Sequence, residues 1–163
     1  MLTFAFEKTT GQLVGVVSRT SQPDGAGDPK VLFAPGVSFS DDKATAHVTI
    51  PALELDLKAI DLAAFPALWY DFRKYQMKDG DPVLSAAPVS PTLAADKLSF
   101  NNVAAGVQVY ARIEGGDLTA PISHAAKVTV ANYVLSLPPL PSGDYRFTVV
   151  VQGIQPHVGK QTF

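Results

Sequence analysis

Apolar residues in this chain recur at every second position, in short runs cut by glycine and proline. Leu2, Phe4 and Phe6 alternate with Thr3, Ala5 and Glu7, and Ala46, Val48 and Ile50 with Thr45, His47 and Thr49. Later, Val107, Val109, Ala111 and Ile113 alternate with Gln108, Tyr110, Arg112 and Glu114. A period of two is the mark of a strand with one buried face. Turn formers follow each run: Gly11, Asp79-Gly80-Asp81-Pro82, Gly115-Gly116-Asp117 and Gly143-Asp144. Many short strands with little helix bury their apolar faces only by stacking sheets. The expected class is therefore all-β, a sandwich or a barrel.

The pattern places elements along the chain. Residues 2–18 read as an N-terminal hairpin, and residues 69–75 as an aromatic strand. Residues 127–130 and 133–137 read as strands, and Tyr145-Arg146-Phe147-Thr148-Val149-Val150-Val151 as the strongest β-run. The best helical candidate is residues 59–65. Residues 86–95, with Pro88 and Pro91, read as a linker or irregular edge, which suggests units at 1–90 and 91–163 (the second being a smaller sandwich or a continuation of the first). A faint repeat supports a tandem. His47-Val48-Thr49-Ile50 is like Lys127-Val128-Thr129-Val130, and Trp69-Tyr70-Asp71-Phe72-Arg73 is like Asp144-Tyr145-Arg146-Phe147-Thr148.

Tyr145 carries the sharpest fold signal. It opens a late strand just after a Gly-containing turn, as the tyrosine corner of immunoglobulin-like sandwiches does, where the hydroxyl ties back to the backbone of the preceding crossover. The expected fold is thus an immunoglobulin-like antiparallel β-sandwich, alone or as two in tandem. Phe147 then takes the place where antibody domains carry a cysteine. Tyr70, after Pro66-Ala67-Leu68, could play the same part in the first half, with Trp69 as a core aromatic.

Composition excludes several functions. The chain has 163 residues and no cysteine, so disulfides, thiolate metal sites and thiol chemistry are absent. The formal net charge is -2, which creates no field for nucleic acid or an anionic membrane. No run of about 20 apolar residues could span a bilayer. The start lacks the basic and apolar regions of a secretory signal, which points to folding in a bacterial cytoplasm. Charged residues are 17%, below the roughly 25% of ordinary soluble domains. Assembly subunits often have this composition, and so do many monomers.

Catalytic motifs fail on spacing. Gly36-Val37-Ser38-Phe39-Ser40 lacks the second glycine of a nucleophile elbow. His47, His124 and His157 are scattered, so no metal is expected. Asp41-Asp42 and Asp79-Gly80-Asp81 suit turns better than calcium. Asp24-Gly25-Ala26-Gly27-Asp28 is a flexible loop whose carboxylates would repel phosphate. Glu54 and Asp56 read as a solvated pair. No cofactor is expected.

One segment resembles a known family. Val48-Thr49-Ile50-Pro51-Ala52, a spacer with Leu62, Trp69-Tyr70-Asp71-Phe72-Arg73 and Asp79-Gly80-Asp81-Pro82-Val83-Leu84 resemble an immunoglobulin-like domain of phage and prophage structural proteins. The resemblance covers residues 45–95 and departs at Ser85-Ala86-Ala87-Pro88. It implies a non-enzymatic structural or adaptor protein of the virion, folded in the host cytoplasm: a capsid decoration (cement) protein, or a neck, tail or baseplate adaptor. Its partners would be other virion proteins and copies of itself, with no nucleic acid or membrane. Candidate assembly contacts are Phe4, Phe6, Val14 and Val16 on the hairpin and Ile154 and Phe163 in the tail, which reads as a docking arm or a closing strand. The alternative is a carbohydrate-binding or adhesion module. There Trp69, Asp71, Arg73 and Tyr75, on one strand face, would stack on and hydrogen-bond a glycan.

Overall fold

The computed structural model describes residues 2–18, 33–40 and 46–163, and for Val17, Ser18 and Trp69 the backbone alone. The loop at Asp24 to Asp28 and the pair Asp41-Asp42 lie outside the described residues. The architecture is all-β, built from antiparallel sheets that pack as sandwich layers.

The first half contains β1 (Leu2–Glu7), β2 (Leu13–Ser18), β3 (Val37–Ser40), β4 (His47–Ile50), β5 (Leu55–Ile60), β6 (Tyr75–Lys78) and β7 (Asp81–Leu84). The second contains β8 (Thr92–Ala94), β9 (Lys97–Ser99), β10 (Gln108–Gly115), β11 (Ile122–Lys127), β12 (Val134–Ser136), β13 (Asp144–Val151) and β14 (Ile154–Thr162). In the second half the sheet β12-β9-β8 accompanies the sheet β11-β10-β13-β14. Leu93, Leu98 and Phe100 pack with Val109, Ile113, Phe147 and Val149 in the core between them. In the first half the sheet β2-β1-β5 is joined by the hairpins β3-β4 and β6-β7. The predicted N-terminal hairpin is present, with Phe4 facing Val16.

The halves share a layer. On β13, Phe147, Val149 and Val151 face the second core, while Val150 packs with Tyr110 and Val158 against Ala5, Val14, Phe39, Val48 and Ile50. The unbroken run Thr148-Val149-Val150-Val151 follows from this, because a sheet covered on both faces gains nothing from a polar alternate.

Tyr145 is fully buried, and its hydroxyl donates to the Pro141 carbonyl oxygen at 2.8 Å. This is the tie predicted from its place after the turn. Gly116 makes room for it: at φ +54°, a Cβ there would lie 2.3 Å from the ring carbon Cζ. Phe147 is in the core as expected. The tail is a closing strand, β14, and Phe163 packs on Tyr145 with ring centroids 5.7 Å apart.

Four readings are corrected. Residues 69–75 do not form a strand: Leu68–Asp71 is one α-helical turn and Phe72–Lys74 a 3-10 turn. The Gln12 side-chain amide draws this segment in, donating to the Arg73 carbonyl at 2.7 Å and the Tyr75 carbonyl at 2.8 Å. Tertiary hydrogen bonding thus overrides the aromatic β preference. Tyr70 is 84% exposed, so it forms no tyrosine corner. Residues 59–65 do not form a helix. Ala59 and Ile60 extend β5, where Ile60 pairs with Leu2, and the Asp61 carboxylate then accepts from the Ala63 amide at 3.0 Å to start a turn. Residues 127–130 are not a strand, since β11 ends at Lys127. With Trp69 to Lys74 helical and residues 128–130 outside any strand, the proposed repeat has no structural counterpart.

Candidate functional site

Polar side chains from both halves meet in a cleft of 270 Å³ lined by Lys8, Leu53, Glu54, Tyr110, Ser123 and Ala125, among others. Tyr110 projects from β10 on the face turned to the first half. Glu54 ends the 3-10 turn Ala52–Glu54 that leads into β5. The Tyr110 hydroxyl donates to the Glu54 carboxylate. Burial, reinforced by the adjacent Glu54 charge, pushes the phenol far above its usual ionisation range. At neutral pH the phenol is therefore a neutral donor. The pair is a clasp between the halves, not a nucleophile with its base.

Neighbouring ionisable groups are similarly engaged. The Glu7 carboxylate, 1% exposed, accepts from the Thr9 amide at 2.8 Å, the Thr10 amide at 2.9 Å and the Thr10 hydroxyl at 2.7 Å, closing the β1-β2 turn. Glu114 pairs with Arg112 at 2.8 Å and accepts from the Thr49 amide at 3.3 Å, a second tie between halves. His124 alternates with Ser123 and Ala125, so its ring lies on the opposite face of β11, with Nε2 3.1 Å from the Tyr133 hydroxyl. Burial lowers its pKa below the usual histidine value. Gln76 accepts from the Gly153 amide at 2.8 Å, a third tie between halves, while Ser85 donates to the buried Gln12 at 3.2 Å within the first half.

The sequence-predicted sites fare unevenly. Phe4 is 0% and Val14 2% exposed, so both are core residues and cannot be assembly contacts in this fold. Phe6 and Val16 are half-buried against the core beneath the first sheet, and Ile154 and Phe163 against the second core. The glycan face is not assembled as expected, because its residues lie on helical turns and on β6 instead of one strand. The Asp71 carboxylate is 3.1 Å from the Lys74 ammonium. Arg73 lies over the Phe39 ring at 4.8 Å and donates to the Ser40 carbonyl at 3.2 Å. Tyr75 packs against Phe4 and its neighbours. The Trp69 side chain is outside the described residues. Glu54 is not a solvated partner of Asp56, since it precedes the strand and turns to Tyr110. His47 is exposed, as its place on a polar face implied. Asp79 and Gly80 both have positive φ, 51° and 93°, the backbone of a tight hairpin turn. Among the described residues no group of three or more His, Cys, Asp or Glu could hold a metal ion, and no helix is long and apolar enough to cross a membrane.

Sequence reasoning missed Tyr110, Gln12 and Gln76 and misread Glu54. A signal existed for Tyr110: it is a large aromatic on the polar side of an alternating strand, which a second packed layer explains. No family model, curated protein or solved structure matches the chain.

Proposed function

We propose that this chain is a non-enzymatic structural adaptor built on an immunoglobulin-like sandwich, working in a phage particle as a decoration, neck or tail component among other virion proteins. The observation that supports it best is how the fold uses its buried and half-buried carboxylates. Glu7 closes its own turn, Glu54 receives Tyr110, and Glu114 receives Arg112 and Thr49. Each of these carboxylates holds strands together, as an assembly part requires.

Strand order supports the immunoglobulin-like component. Lettering β8 to β14 as A, B, C, C′, E, F and G turns the two sheets into E-B-A and C′-C-F-G, with the tyrosine tie at the start of F. Ala86 also bridges Ile154 in parallel, extending the first strand along the last. Mass spectrometry of purified particles tests the role. The chain should be a stoichiometric component, and its absence from particles overturns the virion assignment.

A further inference from the structure

Among the described residues, the strand β11 is a sheet edge with nothing paired to its outer side. It bonds β10 alone. The Val128 amide donates to the Val107 carbonyl at 2.9 Å, which identifies Val107 and Val128 as a hydrogen-bonded pair. In an antiparallel ladder such pairs alternate with non-bonded ones. Following the register, Ala126, His124 and Ile122 bond inward to Val109, Ala111 and Ile113. The amides and carbonyls of Ser123, Ala125 and Lys127 therefore point out of the sheet, and no backbone group among the described residues reaches them. Their side chains are exposed too.

Folded proteins blunt such edges with proline, charge, bulges or brevity. Several other edges are blunted: β8 and β12 are three residues long, β7 carries Pro82, and β5 carries Asp56 and Lys58, whereas β2 is no more charged than β11 but is buried at Leu13, Val14 and Gly15. On β14, Pro156 and the bridge from Ala86 do the same. The six residues of β11 hold one charge, Lys127, at the end. Pro121, which has no amide hydrogen, bounds the template on the other side.

We propose that β11 pairs with β11 of a second copy, antiparallel about a two-fold axis through Ala125, joining two four-stranded sheets into one. The register follows from self-complementarity. Only outward-facing residues can exchange hydrogen bonds, so the axis must bring odd-numbered positions opposite one another. Centring on Ala125 is the register that uses all three outward positions. Ala125 then faces its own copy, and Ser123 faces Lys127 of the other chain. The axis carries a small side chain, and no like charges stand opposite each other. On the other face His124 meets Ala126, again large against small. Each facing outward pair contributes two backbone hydrogen bonds. Leu53, 87% exposed, lines the same cleft as Ser123 and Ala125 of β11.

The proposal rests on the assembly reading above and names the first partner as a second copy of this chain. The absence of native cysteine makes its test specific. Facing hydrogen-bonded residues have Cα atoms about 5.5 Å apart, inside the roughly 4.4–6.8 Å range of a disulfide. On mild oxidation Ala125→Cys should give a covalent dimer. Ser123→Cys alone should not, but a mixture of Ser123→Cys and Lys127→Cys should. By sedimentation the unmodified chain should have twice the 17.3 kDa monomer mass. Ala125→Lys, which sets two like charges on the axis while leaving the inward bonds intact, should be a folded monomer by circular dichroism. A monomeric mass for the unmodified chain, or Ser123→Cys cross-linking as readily as Ala125→Cys, overturns the proposal. Particles that contain the chain without the Ala125 cross-link would sink the dimer alone. A cross-linked dimer absent from particles would sink only the virion role.

Discussion

Replacing Tyr145 with phenylalanine removes one oxygen and little else, which makes it a sharp test of the tyrosine tie. The ring is fully buried among Phe163, Gly116 and the second core, and phenylalanine fills the same volume. What is lost is the 2.8 Å bond to the Pro141 carbonyl. A neutral hydrogen bond contributes about 0.5–1.5 kcal/mol net, and orphaning a buried acceptor costs about 1–3 kcal/mol. Pro141 is exposed, so water can reach its carbonyl after the change. The expected loss is therefore about 1 kcal/mol, nearer the first figure than the second. Urea unfolding should show a lower midpoint at unchanged slope, because the surface exposed on unfolding is the same. Thermally this corresponds to about 2–4 °C in Tm for a chain of this size. Tyr145→Leu, which also gives up aromatic packing, should cost more. Equal stability of Tyr145→Phe and the parent would refute the reasoning, since the hydroxyl would then contribute nothing to the crossover.

Other outcomes follow from the same geometry. Gly116→Ala should destabilise more than Tyr145→Phe, by about 1–3 kcal/mol, because the new methyl meets the ring at 2.3 Å with φ at +54°; urea midpoints decide. Tyr110→Phe leaves the Glu54 carboxylate without its donor, and the loss of a bond to a charged group should cost about 1.5–3 kcal/mol, read by urea unfolding. Burial lowers the pKa of His124 and His157, so on acidification the unfolded chain takes up their protons before the folded one does. Stability should hold above the ordinary histidine value of about 6.5 and fall as the pH drops from there towards the lowered folded values. The double variant His124→Gln with His157→Gln should flatten that slope in thermal melts across this window, and an unchanged slope would assign the acid response to other groups.

Where local chemistry acts alone, the fold was legible in the residues. Alternation at Leu2 to Glu7 and at Val107 to Glu114 marked β1 and β10 as strands, although the fold buries most of both faces of each. Asp79-Gly80 and Gly143-Asp144 marked turns, and Tyr145 after its glycine marked the hydroxyl tie. The glycan face was misread because it depended on a strand at residues 69–75, which the Gln12 amide, some sixty residues away in sequence, holds in helical turns. The Tyr110–Glu54 clasp was hidden for a related reason. A tyrosine among polar alternates looks solvated until a second layer covers it.

The sequence by itself determined the all-β class, the hairpins and the Tyr145 corner, because strand period, turn chemistry and a residue's place beside a glycine act over a few neighbours. Only the tertiary structure decided that β10 and β13 are covered on both faces, that Trp69 to Lys74 coils into turns, and that β11 has no partner on its outer side among the described residues. Those outcomes depend on which distant surface arrives to cover a face or satisfy a backbone group, and no local pattern encodes that arrival.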